Sequence, residues 1–143
     1  MNRVAAADLI STFDAAGAYW QTRVRPGDKG LTSFVCDEGI FEFLRTPSGG
    51  KACGSTFIRA IQRVLEPLQN FTDSYVDDMI LHTHAGKNPD AFILHLQQME
   101  CFLKRIRETR ITIELSKCKF AHREVKFCGK IVGSGGIRLL SVT

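Results

Sequence analysis

Two adjacent aspartates, Asp77 and Asp78, interrupt a segment that is otherwise typical of a buried β-strand, Ser-Tyr-Val-Asp-Asp-Met-Ile at positions 74–80. Adjacent carboxylates repel each other, and burying either one without a partner is costly. The pair therefore lies in a solvated turn or it binds a positively charged species. The apolar residues on both sides favour the second explanation.

A third carboxylate, Asp14, ends a short β-prone run that begins at Leu9. Only a sheet could bring it to the distant Asp77, and it would do so if the two runs were neighbouring strands. The three carboxylates would then meet at one edge and suit a hard cation, Mg²⁺ or Mn²⁺. Two such ions about 3.5–4 Å apart can activate a hydroxyl nucleophile and stabilise a leaving pyrophosphate.

The elements that would position these aspartates predict one α+β domain, with an antiparallel sheet and helices packed on one of its faces. Apolar residues at helical spacing predict helices over 55–65 and 91–107. In the second helix, the apolar stripe of Phe92, Leu96, Met99 and Leu103 is expected to face the core. Strands or hairpins are expected over 9–13, 19–24, 31–46, 70–81 and 111–140, and loops over 25–30, 47–55 and 82–90.

The charge is mildly positive, at +4, and the basic residues are concentrated between Lys104 and Lys130. This segment is either a solvated helix face or a surface that contacts phosphates. No apolar run approaches the roughly 20 residues that span a membrane. The five cysteines are scattered without a C-x-x-C pair, which favours thiols in a reducing compartment.

The histidines offer a further candidate metal site. His82 and His84 would lie on the same face of a strand and could bind zinc, but no matching Cys or His pair lies nearby. His95 and His122 are interpreted as incidental.

An ordered set of motifs resembles the reverse transcriptases of gypsy-type long-terminal-repeat retrotransposons over nearly the whole chain. The motifs are STFDAAGAYWQTRV, LTSFVCDEGIFEFLRTP, SGGKACGSTFIRAIQRVL, YVDD and LSKCKFAHREVKFCGKIVGSGGIR. The resemblance implies a polymerase palm that adds deoxynucleotides to a primer 3′ end on an RNA or DNA template, with Mg²⁺ or Mn²⁺ as cofactor.

The resemblance also implies a role for each matching residue. Asp14, Asp77 and Asp78 would be catalytic and bind metal, and Lys117 or Lys119 could protonate the leaving pyrophosphate. The expected nucleotide-binding residues are Tyr19, Gly49 and Lys51. Those expected to contact primer and template are Tyr75, Val76, Phe127 and Gly129.

By the same resemblance, residues 1–143 would be a single domain, largely without fingers and thumb, in which 22–50 include a hairpin on the fingers side. The parent would be a polyprotein with RNase H and integrase, located in the cell in a cytoplasmic particle or the nucleus. The loop departs from the family pattern at Ser48 and Gly50, and helix 55–65 carries Ile58 where glutamine is usual.

Two alternatives stay open. One is a catalytically inactive, truncated remnant that at most binds nucleic acid, which the basic C-terminal third and the altered loop support. The other is a small metal-dependent nuclease or phosphotransfer domain, which fits the aspartates but explains neither Tyr19 nor the loop-helix motif.

Overall fold

The described residues fold into antiparallel sheets with two α-helices, which confirms the predicted α+β class. The structure, a computed structural model, describes residues 3–50, 53–86 and 89–139. The helices are α1 (Cys53–Leu65) and α2 (Ala91–Glu108), and short 3₁₀ segments lie at Ala18–Gln21, Pro26–Thr32, Glu66–Leu68 and Leu115–Lys117. The strands are β1 (Leu9–Asp14), β2 (Phe34–Cys36), β3 (Gly39–Phe41), β4 (Thr72–Tyr75), β5 (Asp78–Thr83), β6 (Lys119–His122), β7 (Glu124–Phe127), β8 (Lys130–Gly133) and β9 (Gly136–Leu139).

The central sheet has the strand order β4-β5-β1-β6, and all its pairings are antiparallel. In the register of β1 with β5, Leu9 lies opposite Thr83 and Asp14 lies opposite Asp78. The prediction that the run ending at Asp14 lies beside the run that contains the paired aspartates is therefore confirmed.

The two faces of this sheet are covered differently, because successive side chains of a strand point to opposite faces. Phe13, Met79 and Leu81 pack against apolar side chains of α1 and α2, so both helices lie on one face. Ile10 and Ile80 pack on the other face against Val125, Phe127 and Val132 of the three-stranded sheet β7-β8-β9. Neither helix in the described part of the chain has the length and apolar character of a membrane span.

Two predicted extended segments are wrong, 19–24 and the first part of 111–140, whereas the rest of 111–140 contains β6 to β9. Residues 18–21 form a 3₁₀ segment after Gly17, whose left-handed φ of 53° turns the chain out of an extended path, and extended pairing is limited to a bridge between Arg23 and Arg45. In the segment after α2, Ile113 forms only an isolated bridge with Ala15 before the 3₁₀ segment Leu115–Lys117.

The face of α2 that packs on the sheet also differs from the prediction, although Met99 of the predicted stripe does pack, half-buried, against the core. Phe92, Leu96 and Leu103 are 55%, 46% and 39% exposed, whereas Phe102 and Ile106 are buried. The helix carries two apolar stripes, and the one that includes Phe102 faces the sheet because its ring stacks on Phe13 at a centroid distance of 4.3 Å.

His95 belongs to the same buried face, so the interpretation of this histidine as incidental is wrong. Its ring is fully buried, and its two nitrogens hydrogen-bond to Ser11 Oγ at 2.8 Å and Thr83 Oγ1 at 2.7 Å. Both partners are uncharged hydroxyls. Burial lowers the pKa of His95 from its ordinary value of 6.5.

This buried histidine predicts a pH dependence of stability. Below pH 6.5 the unfolded chain takes up a proton at His95 that the native ring resists. The contribution of His95 to the free energy of unfolding is therefore fully present above that pH and is lost as the pH is lowered. We expect urea titrations between about pH 7.5 and 5.5 to show this loss of stability. His95→Gln should reduce the slope of the free energy of unfolding against pH. His122→Gln, at an exposed position of β6, is the matched control, and an unchanged slope in His95→Gln would contradict the assignment.

Candidate active site

The tight turn between β4 and β5 carries the first of the paired aspartates. Tyr75 and Asp78 are the last register partners of this hairpin, so Val76 and Asp77 form a two-residue turn. Val76 has a φ of 58°, a conformation that a β-branched residue rarely adopts. Strain of this kind is often found at functional sites, and it supports the interpretation of this turn as functional.

Asp14 is positioned beside this turn by backbone hydrogen bonds on both sides. The Ala15 N–H donates to the Asp77 carbonyl oxygen at 3.1 Å, and the Glu114 N–H donates to the Asp14 carbonyl oxygen at 2.9 Å. Asp14 and Asp78 are direct register partners of β1 and β5. The sheet thus brings together the three aspartates that the sequence singled out.

The carboxylates influence one another electrostatically. The pKa of Asp78 is raised above its ordinary value, first by burial and then by the negative charges of Asp77 and Asp14, while Lys117 acts in the opposite direction. Lys117 Nζ lies 3.6 Å from Asp14 Oδ1, on a mostly exposed side chain. An exposed ion pair of this kind stabilises the fold only slightly.

Carboxylate oxygens are suitable ligands for a hard divalent cation. Within the described ranges, however, no group of three or more His, Cys, Asp or Glu side chains is arranged to hold a metal ion. The aspartates therefore provide the right donor atoms, but their side chains do not form a complete ligand set as they stand. The pair His82 and His84, considered above as a candidate zinc site, likewise has no such group around it in this part of the chain.

The raised pKa of Asp78 predicts that its charge destabilises the fold. The native state holds a proton more tightly than the unfolded chain, so stability is present at low pH and is lost as the pH rises through the native pKa. At neutral pH in the absence of divalent cations, Asp78→Asn should therefore raise the melting temperature. Thermal melts at pH 7 and pH 3 would check this, and an equal or lower melting temperature at pH 7 would contradict it.

Two of the residues predicted to contact nucleotide, Tyr19 and Gly49, lie in segments that precede α1. Tyr19 is half-buried, and its ring meets Phe57 edge-on at a centroid distance of 6.2 Å. A Cβ built at Gly54 would lie 3.7 Å from the Tyr19 hydroxyl oxygen, an ordinary contact distance, so the tyrosine packs against the first turn of α1. Gly49 has a φ of 93°, which favours glycine there, and Lys51 lies outside the described residues.

The residues predicted to contact the primer lie on two hairpins. Tyr75 is 57% exposed beside the strained turn, whereas Phe127 is buried on the face opposite the helices. Phe127 precedes a two-residue turn, in which Cys128 and Gly129 have φ values of 49° and 72°. Positive φ at both turn residues matches the twist of a tight hairpin.

Cys128 is a site neighbour that the sequence interpretation missed. The pKa of its thiol is raised, first by burial and then by the negative charge of Asp78, so the turn between β7 and β8 lies near the aspartates. The Cys-Gly dipeptide between two β-prone runs was the sequence signal that could have indicated a tight turn at this position. Of the two candidate lysines, Lys117 lies beside Asp14, whereas Lys119 is exposed and pairs with Thr12 further along β1.

Comparison with known protein families is consistent with the placement of the three aspartates at the edge of the sheet. Residues 1–132 match the family described as reverse transcriptase (RNA-dependent DNA polymerase). The match covers more than half of the chain, and the chain therefore belongs to the reverse transcriptase family.

Individual relatives are much longer proteins. The chain is 27% identical over 137 residues to an enzymatic polyprotein of Cestrum yellow leaf curling virus, covering 95% of this chain and 20% of the relative. It is 26% identical over 135 residues to the transposon Tf2-3 polyprotein of Schizosaccharomyces pombe, covering 94% of this chain and 10% of the relative. The chain thus spans a fifth or less of these relatives.

The same fold occurs in a solved structure of the foamy viral protease-reverse transcriptase in complex with an RNA/DNA hybrid. The TM-score is 0.81 at 21% sequence identity, covering 97% of this chain and 19% of that one. This likeness confirms the predicted reverse transcriptase fold.

Proposed function

We propose that this domain, residues 1–143, is the palm region of an RNA-directed DNA polymerase from a gypsy-type long-terminal-repeat retrotransposon, with a fingers-side hairpin within 22–50. It would extend a primer 3′ end on an RNA or DNA template with deoxynucleoside triphosphates. The observation that carries the proposal is the placement of Asp14 opposite Asp78 across β1 and β5, with Asp77 in the adjoining turn. The wider polyprotein, with RNase H and integrase, belongs to the same proposal.

The proposed cofactor is Mg²⁺, or Mn²⁺ in its place, held by Asp14, Asp77 and Asp78. A bound divalent cation supplies activation of the primer hydroxyl and charge stabilisation at the transferring phosphate. The pKa of Asp78 is raised first by burial and then by the negative charges of Asp77 and Asp14. The repulsion among the three carboxylates supports this assignment, because a cation would relieve it. Binding requires the aspartate side chains to rotate toward a shared ion, since they do not yet form a three-ligand group in the described structure.

The other residues would bind and orient the substrates. Lys117 is the better placed proton donor for the leaving pyrophosphate, because its ammonium lies 3.6 Å from Asp14 Oδ1. Tyr19 would lie under the incoming sugar and exclude a 2′-hydroxyl, with Gly49 and Lys51 near the nucleotide. Tyr75 and Val76 would lie beneath the primer terminus, and Phe127 and Gly129 would grip the primer.

Primer extension tests the proposal. A labelled primer annealed to an RNA template is incubated with the 143-residue chain, deoxynucleotides and Mg²⁺, and salt-dependent binding of the same duplex is measured in parallel. Incorporation that requires the divalent cation supports the polymerase assignment.

A second candidate is a remnant that binds nucleic acid without catalysis. The incomplete ligand set at the aspartates favours it. Salt-sensitive binding without incorporation, unchanged when all three aspartates are replaced by asparagine, would establish this alternative and overturn the polymerase proposal.

A further inference from the structure

A chain of four hydrogen-bonded polar side chains, three of them fully buried, connects α2 to the central sheet. His95 Nε2 lies 2.8 Å from Ser11 Oγ on β1, and His95 Nδ1 lies 2.7 Å from Thr83 Oγ1 on β5. Thr83 in turn donates its hydroxyl proton to Gln98 Oε1 at 2.5 Å. Ser11, Thr83 and His95 are fully buried, so the polar protons of these three side chains must find their acceptors within the protein.

The hydrogen-bond partners determine where each proton lies. Because the one hydroxyl proton of Thr83 goes to Gln98, Thr83 Oγ1 can only accept from His95 Nδ1–H. A neutral ring then has an unprotonated Nε2, which accepts the hydroxyl proton of Ser11. Each hydrogen bond of the Ser11–His95–Thr83–Gln98 chain therefore has both a donor and an acceptor only when His95 is neutral and carries its proton on Nδ1.

The Ser11 end of this chain supports an irregularity between β1 and β6. Ser11 Oγ accepts a hydrogen bond from the Ala121 N–H at 2.9 Å. Ile10 pairs with His122 and Thr12 pairs with Lys119, so β6 contains one more residue than β1 at this point. Ala121 has a left-handed φ of 53°, as expected for a β-bulge, and Ser11 supplies an acceptor for its N–H.

This bulge sets the register, against β1, of the β6 residues that precede it, Lys119 and Phe120. Without the extra residue, Thr12 would lie opposite Phe120 instead of Lys119. A slip of one residue moves a strand by about 3.4 Å and reverses the face of each side chain. The 3₁₀ segment Leu115–Lys117 lies just before β6, so such a slip would move Lys117 away from Asp14.

We propose that the Ser11–His95–Thr83–Gln98 chain positions Lys117 beside Asp14 by fixing the register of β6 against β1. His95 is thus a positioning residue, which acts on the site through Ser11 and the bulge at Ala121. The catalytic importance of Lys117 rests on the proposed function, whereas the hydrogen-bond order and the register do not depend on it.

The tautomer of His95 provides the first test. Nitrogen-15 NMR of the histidine rings in the whole chain should show His95 with its proton on Nδ1. Thr83→Val keeps the side-chain shape but removes the acceptor, so the proton should move to Nε2 and point to Ser11. Thr83→Ser retains the hydroxyl and should retain the Nδ1 proton. A proton on Nε2 in the wild-type chain, or no change in Thr83→Val, would overturn the proposal.

The strand register provides the second test. Cross-strand nuclear Overhauser effects should link Thr12 to Lys119 in the wild-type chain. Ser11→Ala leaves the Ala121 N–H without its acceptor, and the contacts should shift to Thr12 and Phe120 while Lys117 loses its proximity to Asp14. Thr72→Val is the control, because it removes another buried hydroxyl, bonded to the Leu68 carbonyl oxygen, that does not touch β6. An unshifted register in Ser11→Ala would refute the proposal.

These measurements separate the two proposals. Both NMR signatures are read without primer, template or nucleotide, so an inactive chain with the expected tautomer and register would contradict only the polymerase assignment. If Ser11→Ala does not fold, the same cross-strand effects are read in Thr83→Val and Thr83→Ser, which leave the bulge acceptor in place. A register shift in Thr83→Val but not in Thr83→Ser supports the proposal, and an unshifted register in both overturns it.

Discussion

Replacing Asp77 by asparagine is expected to lower nucleotide incorporation by about 100-fold or more, since even residues that only orient metal ligands contribute 10–100-fold. Asp77 lies in the two-residue turn between β4 and β5, with its carbonyl oxygen bonded to the Ala15 N–H beside Asp14. Asparagine has nearly the same shape and keeps that backbone bond. The loss would therefore report the missing carboxylate charge.

The measurement combines primer extension with direct titration of Mn²⁺. Asp77→Asn should weaken Mn²⁺ binding as well as incorporation, whereas Asp37→Asn should change neither. Asp37 is a suitable control because it lies in the exposed turn of another hairpin, between β2 and β3. Undiminished incorporation by Asp77→Asn would refute the assignment of this aspartate, whatever the metal titration gives.

The sequence was sufficient for the parts of the fold that have strong local signals. The aspartates interrupt apolar β-prone runs, and α1 and α2 have clear helical spacing, so these elements and the pairing of β1 with β5 were predicted. The segment 19–24 has β-prone residues, but its conformation is determined by the left-handed Gly17 and by packing of Tyr19 on α1. That contact lies between segments far apart in the chain and leaves no local pattern.

The roles of Ser11 and His95 were not predictable for a related reason. A lone histidine in an amphipathic helix gives no indication of which stripe faces the sheet, and α2 carries two apolar stripes. Only the stacking of Phe102 on Phe13 selects the face that includes His95. The side-chain arrangement of the aspartates likewise could not be predicted from the sequence, because the sequence indicates the type of ligand but not its rotamer.

Gly133→Ala is expected to destabilise the fold by about 3 kcal/mol or more, at the upper end of the cost of overpacking. A Cβ at this position would clash with the Arg123 carbonyl oxygen and would lie 2.8 Å from Glu124 Cα. These are backbone atoms at the start of the neighbouring strand β7, so no side-chain rotation can relieve the clash. Strand β8 would have to move away from β7, although Val132 holds it in the core beside Ile10 and Ile80.

The consequence of this change should extend to the candidate site. The turn of Cys128 and Gly129 joins β7 to β8 and lies near Asp78, so separating these strands would also displace the residues proposed to grip the primer. Urea denaturation measures the loss of stability. Gly27→Ala is the matched control, since no atom lies within 4 Å of its built Cβ and its stability should change by no more than about 0.5 kcal/mol. Similar unfolding midpoints for the two variants would show that β8 can move away from β7 at little cost.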